Sequence, residues 1–220
     1  MRLILLGAPG AGKGTQARRL GEAFGLAQIG TGDMFRAAVA AGSPMGIVAK
    51  EYLDNGELVP DEVTIGVVEE RLSSDDAKAG FVMDGFPRTS QQATAFDALL
   101  AKHRQRLSAV IELAVPRKHL MRRLTGRWVC AACNTSYNVL SAAPRLAGVC
   151  DRCGCALVHR PDDEVEMVGH RLDVYDEKTA PLIAYYQGAG LLKTVDGTKD
   201  IDEVFEAIAT AAGVPKEPTA

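Results

Sequence analysis

The chain opens on four consecutive apolar residues, Leu3 to Leu6, and turns at once into glycines. A run this short, apolar at every position, suits a strand buried on both faces and is too short for a helix. Beyond the glycines, Ala17, Leu20, Ala23 and Phe24 recur at helical spacing, which predicts a helix over Lys13–Phe24 ended by Gly25. Three further short apolar runs, at 80–83, 109–115 and 192–195, read as strands of the same kind. Between them, Asp61–Leu72, Ser90–Lys102, 117–124 and 163–186 read as helices. Short apolar strands alternating with helices predict an α/β fold, a doubly wound parallel sheet covered on both faces.

Two segments break the alternation. Residues 30–60 hold two helix-like stretches separated by Gly42-Ser43-Pro44, with no strand between them. Residues 127–160 hold all five cysteines, among scattered β-formers and turn residues. Both read as insertions into one core, and the tail at 214–220 reads as fraying. At 220 residues, 47% hydrophobic and 24% charged, the chain has the balance of a globular protein. A net charge of −3 argues against a nucleic-acid or anionic-membrane partner. With no apolar run long enough to span a bilayer, a soluble cytoplasmic protein is expected. Sixteen of the 25 basic residues are arginine, whose planar fork suits phosphate groups.

The segment Gly7-Ala8-Pro9-Gly10-Ala11-Gly12-Lys13-Gly14-Thr15 sits between a predicted strand and a predicted helix. Glycines let the backbone turn tightly and aim N–H groups at a phosphate, and the helix N-terminus adds partial positive charge. Lys13 supplies a full charge at the β- and γ-phosphates, and the Thr15 hydroxyl can orient a Mg²⁺ shell. The generic pattern has Ser or Thr directly after the lysine, whereas Gly14 intervenes here. GTPase chemistry would call for an Asn-Lys-x-Asp run, which the chain lacks.

Two more segments carry chemistry: Thr31-Gly32-Asp33-Met34-Phe35-Arg36 and Asp84-Gly85-Phe86-Pro87-Arg88. With these, and with Gly126-Arg127-Trp128-Val129-Cys130 and Val195-Asp196-Gly197-Thr198-Lys199, the chain resembles the adenylate kinase family of nucleoside monophosphate kinases over essentially its whole length. The resemblance implies a five-stranded core of the P-loop NTPase type at 1–29, 60–125 and 164–220. An AMP-binding insertion at 30–59 and a lid at 126–163 complete it. It implies that Thr31, Arg36, Gly85, Phe86, Pro87, Arg88 and Gln92 hold AMP, with Glu57, Leu58 and Val59 beside the adenine. Gly10, Ala11, Gly12, Lys13, Gly14 and Thr15 would cradle ATP, with Ser136, Tyr137 and Lys199 bordering its adenine. Arg88, Arg123, Arg127, Arg160 and Arg171 would join Lys13 around the transferring phosphates, Arg160 and Arg171 reaching AMP as well. Asp84 would reach Mg²⁺ through water. Gly169 stands where an extra arginine is common in the family, and Pro161 follows Arg160.

Elementary chemistry supports the same set. Phosphoryl transfer between two nucleotides crowds many anionic oxygens together, so catalysis is positioning plus cations. The acceptor is already anionic, so no general base is needed. The four histidines, at 103, 119, 159 and 170, show no catalytic pairing.

Cys130-x2-Cys133-x16-Cys150-x2-Cys153 has the spacing of a structural zinc ribbon. Four thiolates close a tetrahedral shell and leave no catalytic position; iron or cobalt could occupy the same ligands. Cys155 is surplus. The expectation is therefore a monomeric enzyme acting on small-molecule nucleotides with Mg²⁺ and a structural Zn²⁺. Its rivals are a kinase with GTP as donor or UMP or CMP as acceptor, and a non-catalytic zinc-ribbon nucleotide-binding module.

Overall fold

The computed structural model describes residues 1–139 and 142–214. The expected fraying tail beyond Val214, and Leu140 of the cysteine segment, lie outside them. Strand β1 (Arg2–Leu6) runs into the glycine loop and helix α1 (Lys13–Phe24); β2 (Ala27–Gly30) follows. Helices α2 (Thr31–Ala40) and α3 (Pro44–Asp54) form the first insertion, and α4 (Asp61–Leu72) and α5 (Asp75–Ala79) lead back to β3 (Phe81–Asp84). Then come α6 (Ser90–Lys102), β4 (Ala109–Ala114) and α7 (Arg117–Thr125). The second insertion holds β5 (Arg127–Cys130), β6 (Ser136–Asn138) and β7 (Leu157–His159). A 3₁₀ turn at Pro161–Asp163 leads to α8 (Val165–Val174), a π turn at Tyr175–Thr179, α9 (Pro181–Gly188), β8 (Leu192–Asp196) and α10 (Ile201–Ala211).

The main sheet has five parallel strands in the order β2-β3-β1-β4-β8. Alternation along β1 explains its two covered faces. Leu3 and Leu5 enter a core with Leu20 of α1, Leu120 of α7, Leu172 of α8 and Ile208 of α10. Ile4 and Leu6 enter the opposite core with Val68 of α4, Phe96 of α6 and Leu182 of α9. A separate small cluster of Phe35, Ala49, Val59 and Val67 attaches the first insertion. The second insertion is a three-stranded antiparallel sheet, β6-β5-β7, around Cys130, Tyr137, Cys150 and Leu157. Among the described residues, no helix is long and apolar enough to cross a membrane.

Where pattern and structure differ, the reason is local. The edge strand β2 escapes the pattern because only Ala27 and Ile29 of its four residues are buried. The helix expected over 163–186 is broken into pieces by its own proline. Pro181 has no N–H to give to the preceding turn, and the chain widens there, with the Ala180 N–H donating to the Tyr175 carbonyl at 2.9 Å. That π turn carries Thr179 to the site: its hydroxyl donates to the Arg88 carbonyl at 2.8 Å.

Candidate active site

The carboxyl ends of β1 and β3 lie side by side, Leu5 opposite Asp84, and both strands end in glycine turns facing one cleft of about 690 Å³. Ligand sites of open α/β sheets lie at this edge. In the loop after β1, Gly7, Gly10 and Gly12 have φ of 141°, 82° and 103°, values that side-chain-bearing residues avoid. Lys13 Nζ donates to the carbonyls of Gly7 (2.7 Å) and Ala8 (3.0 Å), so the loop wraps its own lysine. Burial lowers the Lys13 ammonium to about 8; Asp84 opposes the shift, and Arg88, Arg171 and Arg127 add to it. A Cβ on Gly14 would stand 3.1 Å from Asp84 Oδ2. A side chain at position 14 would crowd the carboxylate at the end of β3.

Across the cleft, four arginines converge. Arg127 donates from Nε and Nη2 to the two oxygens of Asp163 at 2.7 and 2.6 Å. Arg171 Nη1 donates to Asp163 Oδ1 (3.0 Å) and to the Asp162 carbonyl (2.6 Å), and pairs with Asp162 Oδ2 at 2.9 Å. Arg160 has Asp33 Oδ1 at 3.7 Å. Arg88 Nε donates to the Gly85 carbonyl at 2.8 Å. Burial lowers Arg88 to about 10; Asp84 opposes this, while Arg171 and Arg36 reinforce it. Arg160 is likewise brought to about 10 by burial, with Arg36 and Arg127 contributing. For Asp162, burial pushes upward, but Arg171 first, then Arg127, Arg36 and Arg160, holds the carboxyl below its ordinary range. Arginines and lysines outnumber carboxylates in the lining of this cleft, which favours anions there.

Beside this cleft, a narrow recess is lined by Thr31, Leu58, Val59, Gly85 and Arg88, and by Gln92 and Glu57. Thr31 Oγ1 donates to the Gly85 carbonyl at 2.7 Å. Gln92 is buried and engaged at both ends: Oε1 accepts from the Arg88 N–H (2.8 Å), and Nε2 donates to Asp61 Oδ1 (2.7 Å). Arg36 pairs with Asp33 on its own helix. Pro87 lines the main cleft, whereas Phe86 is turned into the core, its ring 5.3 Å from that of Phe96. Glu57 is exposed, with His170 Nε2 at 2.8 Å.

On the other flank, Arg123 Nη1 reaches the Ala11 carbonyl at 3.5 Å, next to the phosphate loop. Lys199 and Ser136 are exposed on the cleft rim. Tyr137 borders the cleft too, but its hydroxyl points inward, accepting the Asp151 N–H at 2.8 Å and meeting Cys150 Sγ at 3.4 Å.

The sulfurs of Cys130, Cys133, Cys150 and Cys153 all lie within 4.8 Å of one another. Separations of 3.4 Å (Cys130–Cys153) and 3.5 Å (Cys133–Cys150 and Cys133–Cys153) approach the roughly 3.8 Å edge of a tetrahedron with metal–sulfur bonds of about 2.3 Å. The donor set fits a structural metal. Cys155 is exposed, its sulfur 3.8 Å from the Cys153 carbonyl, and is not one of the four.

Sequence reading missed the acidic partners. Asp162 and Asp163 anchor two of the arginines, and Asp61 holds Gln92. The run Arg160-Pro161-Asp162-Asp163 carried a signal, an acidic pair directly after a candidate phosphate-binding arginine.

A phosphate loop at a sheet switch point, faced by converging arginines, defines a nucleotide-binding phosphotransferase. The family model described as adenylate kinase matches residues 5–191. Curated relatives called adenylate kinase are similar over nearly their full lengths. That of Carboxydothermus hydrogenoformans is 54% identical across 96% of this chain and 99% of its own. That of Thermodesulfovibrio yellowstonii is 53% identical across 94% and 97%, and that of Moorella thermoacetica 53% across 97% and 98%. The chain belongs to the adenylate kinase family, and it is an enzyme; the non-catalytic zinc-ribbon reading is set aside.

Proposed function

We propose that this enzyme transfers the γ-phosphoryl group of ATP, taken with Mg²⁺, reversibly to AMP, giving two ADP and so balancing adenine nucleotides in the cytoplasm. The observation that carries the reading is that Lys13 and Arg88 line one cleft together with Arg127, Arg160 and Arg171. In this reading the loop amides of Gly10 to Thr15 and Lys13 hold the β- and γ-phosphates. Arg36 and Arg88 hold the acceptor phosphate at the main cleft, and its base enters the recess beside Thr31, Leu58 and Val59. Arg127, Arg160 and Arg171 neutralise the charge that spreads over the equatorial oxygens during transfer. Arg123, whose guanidinium reaches the Ala11 carbonyl, joins them at the transferring phosphates, while Ser136, Tyr137 and Lys199 border the donor base, Tyr137 through its main chain. Mg²⁺, held through water by Asp84 with the Thr15 hydroxyl nearby, would supply further neutralisation of the phosphates.

The core comprises 1–29, 60–125 and 164–220, the acceptor insertion 30–59 and the lid 126–163. Closing the lid excludes water, which would otherwise compete as nucleophile. A Zn²⁺ on the four cysteines would hold the lid's small sheet together and take no part in transfer.

A coupled assay offering ATP with AMP, GMP, CMP or UMP in turn tests the function. AMP should be used, with the others below about one hundredth of its kcat/KM, because a site that hydrogen-bonds one base edge leaves polar groups unpaired against another. Comparable use of UMP or CMP, or a preference for GTP as donor, would contradict it.

A further inference from the structure

Arg18 lies on α1, little more than a turn beyond Lys13, and it leaves the core to touch the second insertion. Its Nη2 donates to the Asn134 carbonyl at 3.0 Å and its Nη1 to Thr135 Oγ1 at 3.3 Å. Thr135 Oγ1 in turn stands 3.1 Å from Cys133 Sγ. Asn134 has a left-handed backbone, φ 54°, a conformation that asparagine tolerates better than most residues. Glu22, one turn further along the same face of α1, faces Arg152 of the second cysteine knuckle at 3.8 Å. Both knuckle turns therefore rest on the helix whose first turn carries Lys13.

We infer that Arg18 is a positioning residue, a latch that holds the metal-binding lobe closed on the phosphate-loop helix by gripping Asn134 and Thr135. The inference rests on the reading of this lobe as a closing lid. A guanidinium presents two donors in a fixed fork, and the knuckle turn offers two acceptors on adjacent residues. Those acceptors are adjacent only while the turn keeps its fold, and the thiolates flanking it are what a metal would fix. The metal would then influence closure by shaping the surface that Arg18 grips. Arg18 and Asn134 line the cleft on the side of the phosphate-loop helix and the second insertion, so loss of their contact should loosen the donor side selectively.

The test is amide hydrogen exchange across 127–138 in the metal-loaded full chain, with and without a saturating analogue of two adenosines joined by five phosphates. It is read beside the KM for each nucleotide. In wild type the analogue should slow exchange. In Arg18→Ala, exchange in the complex should be faster and KM for ATP higher by about threefold, the scale of a partly exposed charged contact. KM for AMP and the melting temperature should stay near wild type. Arg18→Lys, which keeps one charged donor, should recover part of both effects. Exchange and KM for ATP unchanged in Arg18→Ala, or KM for AMP rising equally, would overturn the latch while leaving the lid reading intact. Wild-type exchange unaffected by the analogue would overturn the lid reading itself, and the latch with it.

Discussion

Arg127 grips both oxygens of Asp163, and Asp163 has no exposed surface at all. A buried carboxylate needs its charge matched, and the second partner is Arg171 Nη1 at 3.0 Å. Two arginines aimed at the cleft are thus held in place by one acid behind them. They need no ordering when substrate arrives, which is the condition for electrostatic stabilisation without reorganisation.

Asp163→Asn should therefore damage catalysis and fold together. The neutral amide cannot accept from both guanidinium groups as a carboxylate does, and two cations are left facing each other. Removing one partner of a buried pair costs about 3–5 kcal/mol, and Arg127 is partly solvated, so the lower end applies. A fall in melting temperature of about 6–12 °C is expected for a chain of this size. Calorimetry with turnover at low temperature checks both. A stable variant with unaltered kcat would show that Asp163 does not orient the arginines.

Lys13 sets a pH dependence. Its ammonium is lowered by burial to about 8, so free enzyme carries the charge below that pH and loses it above. The log of kcat/KM for ATP should then be level to about pH 8 and decline beyond, since that ratio reports groups of the free enzyme. The stability sign is opposite. The unfolded chain binds this proton more tightly than the folded one, so from about pH 8 to 10.5 the Lys13 contribution favours folding as pH rises. Lys13→Met should cost at least about 10²–10³ in kcat, lose the alkaline decline and stay folded. A wild-type profile level to pH 9.5 would contradict this account of Lys13.

The two flanks should separate by mutation. Arg88 lies between the cleft and the narrow recess, whereas Arg127 leads into the second insertion. Arg88→Ala should mainly raise the Kd for AMP, and Arg127→Ala mainly the Kd for ATP with a loss of kcat. Equal shifts of both dissociation constants in both variants would remove this division of labour.

The cysteine lobe has little core of its own: Val129, Tyr137 and Leu157 are its large buried side chains besides the thiols, among the described residues. So small a lobe needs a staple. Cys130→Ser with Cys133→Ser should release the metal and lower the melting temperature, while part of the turnover survives at low temperature. Metal content and turnover of stripped and refilled protein decide it. Turnover lost on stripping, at a temperature where the lobe stays ordered, would make the metal catalytic.

Much of this is legible in the amino-acid sequence itself. The strands at 2–6 and 109–114 announce themselves because both faces of the sheet are covered, so all their positions but Arg2 and Glu112 are apolar. The loop around Lys13 and the cysteine pairs carry their spacing openly. What stayed hidden depended on tertiary context. Strand β2 lies at the sheet edge and buries alternate residues only. Asp162 and Asp163 acquire meaning only where Arg127 and Arg171 meet them from other elements. Phe86 and Tyr137, read as contacts of nucleotide, turn their rings into cores, since a motif names a residue and not the direction of its side chain. The grip of Arg18 on Asn134 spans more than a hundred positions, and no local pattern could disclose it.

The central claim is that one cleft receives two nucleotides with their phosphate ends facing. The most direct measurement is calorimetric titration with two adenosines joined by five phosphates, followed by competition with ATP and with AMP separately. The account predicts one analogue bound per chain, tighter than either nucleotide, and displacement of both ATP and AMP by that single molecule. Two analogues bound per chain, or an analogue that displaces ATP and leaves AMP bound, would contradict it.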